Sequence, residues 1–169
     1  GGLLRGVGCR AGGRGAETPP AVPVPPAPRS GPLWEVPVPI GEEAPYVHDG
    51  CTGLSFPIHT SPAFAEAVGL PGIILHGTAT LSHAVRELVN READGEPTRL
   101  RTISARFRAM VRPGTVMRVQ LLGRERGPDE TGGGMHLFYQ VLNGDGRPAI
   151  GRGFARVEPV GAAHRRCGP

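Results

Sequence analysis

Lysine is absent from this 169-residue chain, and all 19 basic residues are arginine. The phosphate-cradling pattern G-x-x-x-x-G-K-[ST] is excluded with it, and no G-x-G-x-x-G follows a strand-like segment. Cysteine is scarce: Cys9, Cys51 and Cys167 form an odd, widely spaced set. They offer neither a disulfide framework nor a paired C-x-x-C zinc site, so a reducing, cytoplasmic setting is expected, without a metal. Long apolar runs are missing too. Leu3-Leu4 is the longest near the start, too short for a secretory core, and no stretch approaches a membrane span. Aromatics are few, with 5 Phe, 2 Tyr and 1 Trp. Residues 46–158 carry 13 Arg against 11 acids, interspersed with apolar residues. That distribution reads as a solvated sheet face, whereas nucleic-acid binding calls for a clustered basic stripe, often with stacking aromatics.

Glycine and proline, by contrast, are abundant, at 27 and 19. Residues 1–45 hold 9 of the glycines and 10 of the prolines. Such a segment buries too little apolar surface to offset the entropy of ordering it. The expected organisation is a Gly/Pro/Arg-rich tail and linker over 1–33, one domain over 34–158, and a tail over 159–169. Because the chain begins with Gly and LLRGVG precedes the linker, a truncated two-domain parent is a further expectation.

Within the domain, Leu33–Ile40 fits an edge strand at best, since Pro37 and Pro39 remove ladder donors. The stretch YVHDGCTGLSFPIH reads as a loop. Ser61 then caps a short helix that opens with Pro62 and ends before Gly69. In HGTATLSHAVRELVNRE, Leu81, Ala84, Val85, Leu88 and Val89 share a face, with Arg86, Glu87, Arg91 and Glu92 on the other side. After Gly95 the period changes to two. Ile103, Ala105, Phe107, Ala109 and Val111 alternate with Arg106 and Arg108, followed by Met117/Val119/Leu121 and Leu137/Tyr139/Val141. An Asn143-Gly144-Asp145-Gly146 turn leads to Ala149, Gly151, Gly153, Ala155 and Val157, a face of small residues that would let another element, such as the central helix, approach closely. The order predicts an α+β architecture, one long helix packed against an antiparallel sheet.

The candidate site lies in Gly53–Thr80. His59 precedes the short helix, and His76-Gly77 opens the long one, where unpaired N–H groups and the positive dipole end can hold a carbonyl oxygen. An imidazole beside it can act as acid or base near neutral pH. Gly77 could equally serve tight packing, and the histidines could be loop hydrogen-bonders. Asp49 is the nearby carboxylate, ten residues before His59, and could approach through a turn. Cys51 has nothing to activate it and reads as structural. His76 and His83, seven apart on one helix face, do not amount to a metal site.

The positions Gly53, Pro57, Ile58, His59, Phe64, Ala65, Gly69, Ile74, His76 and Gly77 resemble, in identity and spacing, the MaoC-like dehydratases and (R)-specific enoyl-CoA hydratases. The resemblance spans about residues 46–158 and implies a hotdog fold. It also implies reversible hydration of a trans-2-enoyl thioester of CoA or an acyl carrier, with no cofactor. His59 would be the acid/base, Gly77 the oxyanion donor, and His76, Thr78 and Phe56 substrate-binding. The family's Asp and Asn positions are Leu54 and Phe56 here. A lone imidazole is then expected to activate water about 10²–10⁴-fold less well. A catalytically impaired half of a double-hotdog dehydratase is therefore the alternative. A hotdog thioesterase is more distant, because the acid expected on the helix is Val85. Pairing as a homodimer or with a second hotdog domain is expected.

Overall fold

The period-two segments after Gly95 pair into one antiparallel sheet. The computed structural model describes residues 31–127 and 133–159, so most of the two tails, the two-domain expectation, Cys9 and Cys167 lie outside the described residues. Strands β1 (Trp34–Ile40), β2 (Leu100–Phe107), β3 (Thr115–Arg126), β4 (Met135–Leu142) and β5 (Pro148–Val157) are ordered β1-β3-β4-β5-β2. All four pairings are antiparallel. Pro37 and Pro39 sit on the edge strand β1, where a missing donor is tolerated. Among the described residues, three α-helices lie between β1 and β2: α1 (Ala44–Thr52), α2 (Pro62–Ala67) and α3 (Gly77–Glu92). Ala84 and Leu88 of α3 are fully buried in one core with Met117, Val119, Leu121, Leu137, Tyr139 and Val141. This is the expected α+β arrangement of one long helix against the sheet.

The far end of α3 is pinned to the sheet by polar contacts. Glu92 accepts from Trp34 Nε1 at 2.7 Å and from Arg124 Nη2 at 2.9 Å, and the Arg91 guanidinium lies 5.5 Å from the Trp34 ring centre. Glu87, expected on the solvent side, is instead 8% exposed and paired with Arg86 and Arg91. Its charge is tolerated there because two guanidinium groups neutralise it.

Three other expectations need correction. The loop reading of YVHDGCT fails: Ala44–Thr52 is helical, with Pro45 in its first turn and Gly53 closing it at φ 65°. Phe107 is 52% exposed rather than core-facing, because register shifts between Leu100/Thr102 and Ser104/Arg106 break the alternation of β2. Finally, Ala149 and Ala155 of the small face do share the core with α3, but at Gly153 the group that comes close is Tyr139 of β4. A Cβ at Gly153 would lie 2.6 Å from Tyr139 O and 2.7 Å from its ring. The phenol crosses β5 at this point and donates to Ser104 O on β2 at 3.1 Å, and its burial pushes the hydroxyl pKa well above the usual phenol range.

Gly153→Ala should therefore destabilise the fold by about 2 kcal/mol through overpacking. Denaturant titration should show a lower midpoint with an unchanged slope.

Candidate active site

Two short-range sequence features set His59 in place. Pro57 fixes the first residue of a single 3₁₀ turn, Pro57–His59, and Ser61 caps α2 by accepting from Phe64 N at 3.3 Å. The His59 ring points back to the strand-like stretch before α3, where Nδ1 lies 2.7 Å from Ile74 O. A carbonyl can only accept, so Nδ1 carries the proton, and in the neutral ring Nε2 keeps its lone pair. That free nitrogen is the one available for proton transfer.

His76 packs beneath it. The two imidazoles stack with centroids 3.6 Å apart and planes 22° from parallel. His76 is 4% exposed, and its Nε2 donates to Leu54 O at 3.2 Å. Asp49 Oδ1 stands 3.8 Å from the same nitrogen. Both Asp49 Oδ1 and His76 Nδ1 are buried without a hydrogen-bond partner in this structure. Asp49 Oδ2 accepts from Ser55 at 3.2 Å, which ties α1 to the loop preceding His59. His48 completes the row: its ring lies 4.7 Å from that of His76, and its Nε2 shares a 2.9 Å hydrogen bond with Thr78 Oγ1.

His76 is also the N-cap of α3, so Gly77 occupies the first helical position. Its N–H has no intrahelical partner. A Cβ on Gly77 would lie 3.2 Å from Phe107 Cε1, so the exposed Phe107 ring lies directly against this backbone. His59, Gly77, Thr80 and Phe107 line one cleft of about 250 Å³ with Ile74, Met110 and Ala149.

The structure thus brings His59 and Gly77 together. His76 lies behind His59 and Thr78 is bonded to His48, while Phe56 is 53% exposed and edge-on to His59 with centroids 6.5 Å apart. Sequence reasoning gave no site role to His48, Ser55 or Phe107. The signal for the first was a helical spacing from Pro45 hidden in a polar stretch; the bulge that frees Phe107 leaves no mark in the sequence. Leu54 is 52% exposed and adds no polar group beyond its carbonyl. Among the described residues, no group of three or more His, Cys, Asp or Glu is arranged to hold a metal. No helix there is long and apolar enough to cross a membrane.

Residues 25–130 match the family described as MaoC like domain. The chain belongs to that family. Peroxisomal enoyl-CoA hydratase 2 of Arabidopsis thaliana is 41% identical over 61 residues, 36% of this chain and 20% of that protein. Fatty acid synthase subunit beta of Aspergillus oryzae is 51% identical over 67 residues, 38% of this chain and 3% of that protein. The full-length peroxisomal multifunctional enzyme type 2 of Drosophila melanogaster superposes with a TM-score of 0.71 at 25% identity, covering 85% of this chain and 25% of that one. The chain thus spans a quarter or less of the relatives named here. The hotdog fold of the MaoC-like domain accounts for the helix-on-sheet layout described above.

Burial lowers the His76 pKa below 6.5; the neighbouring His59 and His48 lower it further, against the Leu54 carbonyl and Asp49. His83 is lowered as well, chiefly by burial and then by Arg86. Below about pH 6.5 the unfolded chain binds these protons before the folded MaoC-like domain does. Stability is thus fully present above that pH and falls as pH drops through the window. Melting temperatures from about pH 8 to about pH 5.5 should decline on the acid side, and His76→Gln should shrink that decline.

Proposed function

We propose that this domain adds water reversibly to a trans-2-enoyl thioester to give a 3-hydroxyacyl thioester. One observation carries the reading: His59, with Nε2 unbound, and the unpaired N–H of Gly77 open onto the same cleft. In this reading the thioester oxygen accepts the Gly77 N–H at the positive end of α3. His59 Nε2 takes a proton from water as its oxygen attacks C3, and the electron pair of the double bond moves through C2 onto the thioester oxygen as an enolate. The same imidazolium then returns the proton to C2. Atoms and charge balance with a single acid/base group, and the apolar walls hold the acyl chain.

The carboxylate of the family motif is missing at Leu54, and Asp49 from α1 supplies the nearest negative charge. It stands behind His76, so it acts on the stacked pair and not on substrate. Burial disfavours a charge on His76, so the neutral ring stands between the carboxylate and the cleft. Loss of polar groups at Leu54 and Phe56 supports the second reading, a binding half with impaired catalysis. Thioesterase action has less support: Val85 holds the position where an acid is wanted, and Glu87 is engaged with two arginines. Pairing with a second copy or another hotdog domain is supported by the position of β2 at the end of the sheet, beside exposed Phe107 and Met110. The cysteine pattern favours the cytoplasm, whereas the Arabidopsis and Drosophila relatives are named as peroxisomal.

Hydration of crotonyl-CoA, followed by loss of enoyl absorbance, tests the reading. Wild type should be active, His59→Ala should lose about 10²–10⁴-fold in kcat, and Leu54→Asp with Phe56→Asn should gain activity. Equal inactivity of wild type and His59→Ala would favour the impaired half.

A further inference from the structure

One wall of the reaction cleft is a ring that the fold turns out of the core. Phe107 ends β2 half-exposed, yet its backbone is firmly placed. It is registered against Ile150 of β5, and the next residue, Arg108, donates its N–H to Ala149 O at 2.9 Å. From there the side chain reaches the start of α3. A Cβ on Gly77 would meet Phe107 Cε1, Cδ1 and Cζ at 3.2, 3.3 and 3.5 Å. One edge of the ring thus closes the space beside the residue whose N–H has no intrahelical partner.

The other groups around Gly77 cannot give way. Leu75, two residues earlier, donates its N–H to Val111 O at 2.8 Å, which holds the helix start to the segment after β2. Thr80, in the first turn of α3, is buried and donates its hydroxyl to His76 O at 3.2 Å. Ala149 is buried as well, and both line the cleft with His59 and Phe107. An oxygen accepting the Gly77 N–H therefore shares the cleft with two rings, one that can transfer protons and one that only fills space. In an enoyl thioester C2 is two bonds from that oxygen, so whatever C2 carries also lies at the helix start. A ring already in contact with the backbone leaves no slack there for an added methyl.

We propose that Phe107 is a specificity-determining residue, which admits enoyl thioesters with hydrogen at C2 and rejects those with methyl at C2. The inference rests on the enoyl-thioester reading and specifies which members of that substrate class the cleft accepts. Because the ring is half-exposed, its truncation widens the cleft toward solvent and leaves no cavity in the core.

The test compares wild type, Phe107→Leu and Phe107→Ala on crotonyl-CoA and on its 2-methyl homologue, tiglyl-CoA. Following one pair of substrates across the variants cancels their intrinsic difference in reactivity. The ratio of kcat/KM for crotonyl-CoA to that for tiglyl-CoA should fall about tenfold in Phe107→Ala, the scale on which an apolar wall discriminates one carbon. Phe107→Leu should show a smaller fall in the same direction. Unchanged ratios in both variants overturn the proposal. Should wild type hydrate neither thioester, calorimetry with the saturated butyryl-CoA and 2-methylbutyryl-CoA decides without turnover. A wild-type preference for butyryl-CoA that narrows about tenfold in Phe107→Ala supports the role of Phe107 and overturns the hydration reading alone. An unchanged preference, or none in wild type, overturns the proposal, and binding of neither ligand overturns both readings.

Discussion

The site hangs on one residue's backbone. Ile74 donates its N–H to Ile58 O at 3.2 Å and accepts from His59 Nδ1 at 2.7 Å, so the 3₁₀ turn is clasped from both sides. The next residue, Leu75, donates to Val111 O at 2.8 Å, and His76 then begins α3. A single extended stretch therefore fixes the tautomer of the proposed base, docks it to the sheet, and delivers the helix N-terminus beside it. Had Ile74 O found another donor, His59 would be free to carry its proton on either nitrogen. The proposed base and the proposed oxyanion donor would then no longer be coupled.

A second constraint reaches the site through the sheet. Tyr139 crosses β5 where Gly153 leaves space, and its hydroxyl satisfies Ser104 O at a register shift of β2. Beyond that shift Phe107 comes to lie against Gly77 instead of in the core. The glycine on β5, the phenol on β4 and the bulge on β2 thus act together on the wall of a cleft that none of them but Phe107 touches.

Much of this was legible in the sequence, and the failures share a cause. The core face of α3 and the alternation Met117/Val119/Leu121 are strong periodic signals, and every residue of the latter is fully buried. The Ser61-Pro62 start and the His76-Gly77 start were readable because capping is local chemistry. Helix α1 was not, since only Pro45 of its nine residues is buried and no apolar stripe exists to read. Phe107 was misplaced because a bulge inverts sidedness without altering the residues that alternate. Gly153 was assigned to the helix because a small residue announces a close approach but not which element makes it. At the site, His59 and Gly77 were found by motif spacing. The row of His48, His76 and Asp49 required three-dimensional contact between α1 and the start of α3.

The stacked histidines bear on why Leu54 and Phe56 can stand where polar groups were expected. Two imidazoles 3.6 Å apart cannot both be charged at little cost, and burial already disfavours the charge on His76. In the proposed reaction the transferred proton is therefore assigned to His59, the ring that lines the cleft. Placing it there normally calls for a carboxylate at hydrogen-bond distance; here Ile74 O orients the ring and Asp49 supplies negative charge through an intervening neutral ring. Orientation and charge compensation, usually joined in one side chain, are divided between a backbone carbonyl and a remote acid. Because Coulomb attraction weakens with distance, Asp49 compensates a charge in the cleft less than a direct partner would. It also leaves the positions of Leu54 and Phe56 free to present apolar surface beside the base.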